Sequence, residues 1–390
     1  MSLVEEFIEA VSDHDPQKFA HDLSAKLATR SRHVCAFLGA GVARACGLPD
    51  VAQLQKEVVD GLTGDDRKAF EEQLNGRNLE QALSRLRRIA AVLTAGQTLD
   101  GLTAAQAIQL DATVCQKIVE KLDISSANLS PIYSLAAWAA RANYHLPLEL
   151  FTVNYDLLIE SGLERLRVPY FDGFVGNLKA RFQTELVEAA PGQEGFWLPE
   201  FLVRLWKLHG SVNWLWEADQ QIVRLGQPVT KDLAAAIYPS DTKYDESRRV
   251  PFVVLQDRLR RALYQPETLV IISGYSFSDD HLNEVLFEAA SKRQRSELIV
   301  FCYAAIPDHL AERAVITPNI QIATANEAIL GGIRGPWRSA LPDIPSVWKS
   351  NKLLLHDFSG LADYLARSSI REPDVDAVLR NLLGTATPAP

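Results

Sequence analysis

The 390-residue chain has four cysteines, Cys35, Cys46, Cys115 and Cys302, and no Cys-x-x-Cys pair. That spacing excludes a disulfide framework and a paired-cysteine zinc site, so no metal is expected. Cys35 and Cys302 sit inside apolar runs and read as packing residues. No stretch approaches the roughly 20 apolar residues that span a bilayer, so no membrane contact is expected. The opening residues, Met1-Ser2-Leu3-Val4-Glu5-Glu6, lack the basic start and apolar core of a secretory signal, and a cytoplasmic location is expected. A basic excess is missing too. The net charge of −9 weighs against direct nucleic-acid binding by the free chain. There is no internal repeat. What remains is an ordinary globular composition, 47% hydrophobic and 23% charged, long enough for one large α/β domain with an insertion or for two domains.

Two helices are expected at the start, one over Val4 to Val11 and one from Asp15-Pro16, where Asp suits the cap and Pro the first turn. From Pro49 to Asn143 the apolar spacing is helical throughout, predicting an inserted helical layer over about 49–143. Within it Asn78 and Gln81 form a capping-box pattern ahead of Leu79, Leu83 and Leu86 on one face, with Arg85, Arg87 and Arg88 reading as a solvated face. Strand-like runs recur at Val34 to Leu38, Leu148 to Val153, Phe201 to Leu208, Thr268 to Ser273, Glu297 to Tyr303 and Ile320 to Thr324. Helical patterns over Asp156 to Arg165, Arg249 to Tyr264 and Asp279 to Ser291 lie between several of them. Strands alternating with helices predict crossover units and a parallel sheet.

Four polar motifs each follow directly on one of these runs. They are Gly39-Ala40-Gly41, Thr152-Val153-Asn154-Tyr155-Asp156, His209-Gly210-Ser211 and Gly274-Tyr275-Ser276. In open parallel sheets ligands bind beyond the carboxyl ends of the strands, so four such motifs converge on one crevice, and the combination predicts a dinucleotide site. Gly39-Ala40-Gly41, followed by Gly47-Leu48-Pro49-Asp50, lacks the Gly-x-Gly-x-x-Gly spacing but places glycines where a strand turns into a helix and backbone can approach a pyrophosphate. Pro49 and Asp50 are grouped with that nucleotide-binding turn. Gly274 and Ser276 are assigned a sugar or adenine contact, because the acids that follow, Asp279 and Asp280, would repel a phosphate; Ser278 is the expected cap of that helix. Thr152, Asn154 and Asp156 alternate and would share one face toward the crevice, although Asp156 can instead cap the next helix. His209 titrates near neutrality and can act as a general base or serve structure alone.

Read in order, Gly-Ala-Gly with Gly-Leu-Pro-Asp, Thr-x-Asn-x-Asp, His-Gly and Gly-x-Ser resemble the sirtuin family, whose members bind NAD and break its nicotinamide–ribose bond. The resemblance spans Val34 to Thr324. It implies a Rossmann-like parallel sheet with helices on both faces and a large inserted helical layer. The expected organisation is N-terminal helices over 1–30, the NAD-binding domain over 31–335, a C-terminal helical segment over 336–384 and a disordered tail over 385–390. By the resemblance Gly39, Ala40 and Gly41 cradle the phosphates, Asn154 positions the ribose or a water, Asp156 binds the nicotinamide carboxamide, His209 is the catalytic base, and Gly274 and Ser276 contact the adenosine half. Three departures stand out: no cysteine occurs between Cys115 and Cys302, where deacylases of the family carry a zinc ribbon; Val51-Ala52 replaces the usual Phe-Arg and Ala43 a serine; and the helical segment Pro49 to Asn143 is longer than the small helical module of deacylases.

Zinc-less, helix-inserted members are similar to NAD-hydrolysing effectors of bacterial anti-phage defence. The expectation is therefore an NAD glycohydrolase with NAD as substrate, a homo-oligomer gated by a separate partner such as a HerA-like ATPase or a nucleic-acid-guided protein. The alternatives are a protein deacylase or ADP-ribosyltransferase, or a non-catalytic NAD- or ADP-ribose-binding assembly subunit.

Overall fold

The computed structural model describes residues 13–189, 199, 201–217, 221–229, 235–237, 250–292, 296–339 and 341–368. The expected helix over Val4 to Val11 and the expected tail over 385–390 lie outside the described residues. Helix α1 (Pro16–Ala28) starts as its sequence dictates: the Asp15 carboxylate accepts from the amides of Gln17 at 2.9 Å and Lys18 at 3.0 Å, with Pro16 in the first turn.

The main sheet is built on β1 (Val34–Leu38), buried along its whole length. Val34, Ala36 and Leu38 enter one hydrophobic core and Cys35 and Phe37 the other, so its run is continuous because both faces are covered. On one side β1 pairs in parallel with β2 (Glu149–Thr152), then β6 (Val203–Lys207) and β3 (Tyr170–Phe171). On the other it pairs in parallel with β10 (Leu269–Ser273), followed by β11 (Glu297–Phe301) and β12 (Ile320–Ala323). An antiparallel edge, β13 (Glu327–Leu330) and β14 (Ile333–Pro336), completes nine strands. The strand order reverses between β1 and β10, the switch point at which such sheets leave a crevice.

One face is covered by α1, α7 (Ser130–Arg141), α8 (Leu158–Arg165) and α13 (Phe358–Ser368), the other by α10 (Phe252–Leu263), α11 (Asp280–Lys292) and α12 (Asp308–Ile316). The short α2 (Ala40–Ala45) and α9 (Thr184–Glu188) complete the α/β unit. The inserted layer is helical as expected: α3 (Val51–Gly61), α4 (Gly64–Leu74), α5 (Leu79–Val92) and α6 (Ala104–Lys121). The Asn78–Gln81 capping box forms, and Leu79, Leu83 and Leu86 are buried. The arginine face is less solvated than expected, because Arg87 pairs with Asp111 at 3.0 Å in a half-buried contact and Arg85 pairs with Asp100.

A second sheet stands where no strand pattern had been read. Its antiparallel strands are β4 (Phe174–Val175), β5 (Lys179–Phe182), β7 (Gly210–Trp216), β8 (Ile222–Leu225) and β9 (Ala235–Ile237). Val212, Leu215 and Val223 of this sheet share a core with Leu54, Phe70, Leu83 and Val114 of the helical layer. The insertion therefore does not rest on helices alone. The stretch read as C-terminal helical begins instead with a short ribbon, β15 (Trp348–Lys349) against β16 (Lys352–Leu353), before α13 packs Leu361 and Leu365 into the main core.

Candidate active site

At the carboxyl ends of β1 and β10 the chain backbones touch. The Gly39 amide donates to Ser273 O at 3.0 Å and the Gly41 amide to Gly274 O at 2.9 Å. A Cβ on Gly39 would fall 2.5 Å from Gly274 O, and one on Gly41 would fall 2.5 Å from Gly274 Cα. Gly274 itself has φ +68°. The glycines are thus required by this close approach, and the amides of Gly39 and Gly41 are spent on it rather than directed at a ligand. What the turn delivers to the crevice is Ala40 and Ala43, which line a cleft of ≈ 760 Å³, open mouth included.

Asn154, Asp156 and His209 line the same cleft, as do Pro49, Tyr275 and Ser276. Gly39, Gly41, Gly274, Thr152 and Asp50 stand outside its lining. Thr152 is a buried plug: its hydroxyl donates to Leu38 O at 3.0 Å and accepts from the Asn154 amide at 3.0 Å, tying the ends of β1 and β2 together. The strand ends there, so the shared polar face over Thr152, Asn154 and Asp156 is not realised. Asp50 caps α3, accepting from the Gln53 amide at 2.9 Å.

Asn154 is buried and donates to Gly39 O at 3.1 Å, so β2's exit is pinned to β1's turn. The buried Asp156 accepts from the Leu158 amide at 3.0 Å in a turn just ahead of α8, whose N-cap is Leu157, and also lines the cleft. Burial pushes its carboxyl above the ordinary value of 3.8, against the opposing charge of Lys207. Lys207 holds the loop before α8 through Glu160 Oε1 at 2.9 Å and the carbonyls of Tyr155 and Asp156.

His209 sits where the chain leaves the parallel strand β6 and, through Gly210 at φ +89°, enters the antiparallel strand β7. Its Nε2 lies 3.2 Å from Asp279 Oδ2. Burial disfavours its protonated form, but the hydrogen bond to Asp279 and the charges of Glu80 and Asp279 outweigh it, and the imidazole titrates above 6.5. Asp279, rather than Ser278, caps α11, accepting from His281 and Leu282 amides at 3.0 and 3.2 Å. The helical layer adds Asn78 and Glu80 to the lining, and the Tyr155 hydroxyl donates to Glu80 Oε1 at 2.5 Å.

Sequence reading missed Glu80, Tyr155 and Asp279. Asp279 carried a signal, since an acid at the start of a helix that follows a strand-end turn is placed to reach the same crevice. Glu80 had none, because its approach depends on how the inserted layer folds over the sheet. Among the described residues no group of three or more His, Cys, Asp or Glu is gathered to hold a metal ion.

A parallel sheet whose strand order reverses beside β1, helices on both faces and a polar cleft at the strand exits define a Rossmann-like α/β protein. Residues 148–323, from β2 to β12, match the family model of the SIR2-like domain, so this part of the chain is similar to that family. SIR2-like domains bind NAD, and the match points to a family of NAD-dependent enzymes. No curated protein matches the chain. No described helix is long and apolar enough to cross a membrane.

Proposed function

We propose that the protein is an NAD hydrolase that breaks the nicotinamide–ribose bond and releases nicotinamide and ADP-ribose. The observation that carries this reading is the meeting of Asn154, Asp156 and His209, from two different strand exits, in one cleft whose remaining charged lining is Glu80 and Asp279. Departure of neutral nicotinamide leaves positive charge on the ribose, and a cleft walled by carboxylates stabilises that charge as it develops. The same lining disfavours phosphates. The pyrophosphate therefore runs along the uncharged part of the lining, past Ala40, with the adenosine half toward Ser276.

In this reading Asn154 positions the ribose or the attacking water, Asp156 holds the nicotinamide carboxamide, and His209 accepts the proton. The buried Asp156 carboxylate can accept a hydrogen bond from the carboxamide N–H, which suits it to that place. The test is nicotinamide release from NAD by the purified full chain and by Asp156→Ala. Turnover is expected in the first, and a loss of about 100-fold or more in the second; equal rates would remove Asp156 from the reaction.

The wider role follows from the chemistry. An enzyme that destroys NAD in the cytoplasm needs restraint, and a defence effector that depletes NAD on infection fits that need. We assign the restraint to a homo-oligomer and a separate partner, a HerA-like ATPase or a nucleic-acid-guided protein. The gate is the helical layer, because it supplies Asn78 and Glu80 to the cleft wall. Mass in solution and turnover with and without the encoded neighbour test this; a fully active monomer indifferent to its neighbours would refute it.

A further inference from the structure

His209 is held at one ring nitrogen and unpaired at the other. Nε2 faces Asp279 Oδ2 at 3.2 Å, whereas Nδ1 is buried without a hydrogen-bond partner in a residue that lines the cleft and is 5% exposed. The second oxygen of Asp279 is clamped by the His281 and Leu282 amides, so the carboxylate cannot swing away without uncapping α11. An ionised carboxylate only accepts hydrogen bonds. Nε2 must therefore carry the hydrogen, and the lone pair of the neutral ring lies on Nδ1.

We propose that Asp279 is the positioning residue of this site, fixing His209 in the Nε2–H tautomer so that Nδ1 is the atom that accepts the proton. For the reaction, though not for the tautomer, the inference rests on the hydrolase reading above. The glycosidic C–N bond breaks with its electron pair leaving on nicotinamide, the water oxygen bonds to the ribose C1′, and the water proton passes to Nδ1. Asp279 takes no proton; it holds the imidazolium that forms. The other titratable groups facing His209 across the cleft are Glu80 on α5, Asp156 and Tyr155 after β2, and Tyr275 after β10. Glu80 acts on the imidazole in the same sense as Asp279, and neither Tyr155 nor Tyr275 ionises near neutrality because burial raises both.

Asp279→Asn keeps an oxygen for the helix cap but turns an amide N–H toward Nε2, which must then accept and shift the ring hydrogen to Nδ1. Long-range ¹H–¹⁵N spectra of the ¹⁵N-labelled full chain, with the His209 signals assigned by their loss in His209→Gln, read the tautomer directly at a pH above the titration. Wild type is expected as Nε2–H, and Asp279→Asn as Nδ1–H with a lower histidine pKa. In NAD turnover the variant is expected to lose about 10²- to 10⁴-fold in kcat with KM little changed. An Nδ1–H ring in the wild type overturns the proposal whether or not the variant folds, as does a variant that keeps the tautomer or loses only KM. The expected tautomer exchange in a chain that cleaves no NAD would uphold Asp279 and sink the hydrolase reading instead.

Discussion

His209 and Asn154 differ in what else they hold up. Nε2 of the buried His209 meets Asp279 at 3.2 Å, so His209→Ala is expected to reduce NAD turnover by about 10²-fold or more and to cost about 1–3 kcal/mol of stability through the unpaired Asp279 carboxylate. Asn154 also bonds Gly39 O, so Asn154→Ala should lose turnover and about 1 kcal/mol of stability together. Comparing activity with urea unfolding separates the two, and a His209→Ala enzyme of normal rate would remove it from catalysis. Gly274 behaves oppositely. A Cβ there would lie 2.8 Å from Gly41 Cα at a φ of +68°, so Gly274→Ala is expected to cost about 1–3 kcal/mol in urea unfolding. An unchanged midpoint would contradict the backbone contact.

The elements best read from sequence were those whose signals are local. Asp15-Pro16 and the Asn78–Gln81 box each start the helix they announce, and the buried runs of the parallel sheet show their period and length directly. The second sheet was illegible because its buried side faces an inserted layer far away in sequence, as Val212 and Val223 against Phe70 and Leu83 illustrate. Site residues divided similarly. His209, Asn154 and Asp156 sit at strand exits, where their motifs place them, and line the cleft, whereas Glu80 reaches it only through tertiary packing. Asp50 was grouped with the nucleotide contacts for its place in a motif, yet its carboxylate caps α3. Asp50→Ala is therefore expected to cost about 1 kcal/mol and to leave KM for NAD unchanged; a raised KM at constant stability would restore the nucleotide contact.

Across the whole molecule, the amino ends of the sheet are tied by a buried charge cluster remote from the cleft. Glu149 accepts from Trp206 Nε1 at 2.6 Å and Arg258 Nε at 2.8 Å, and lies 3.0 Å from His33 Nε2. Burial opposes the His33 cation, but Cys35 and Glu149 beside it raise it to about 10. Burial likewise opposes the Glu149 carboxylate, yet Arg258 and His33 hold it well below its ordinary 4.5. The His33 contribution is complete below pH 6.5 and is lost as pH rises toward 10; that of Glu149 is complete above pH 4.5 and is lost as pH falls below it. Thermal midpoints should therefore decline on both sides of the window, and Glu149→Gln should cost about 3–5 kcal/mol. A flat profile in the wild type would contradict the pairing. This cluster ties the sheet at the end opposite the cleft. The central claim is tested most directly by following NAD by ¹H NMR with the purified full chain, alone and with its encoded neighbour, beside His209→Ala. The account predicts that free nicotinamide and ADP-ribose grow together in the wild type and not in the variant; NAD left intact in every mixture, or cleaved equally by His209→Ala, would contradict it.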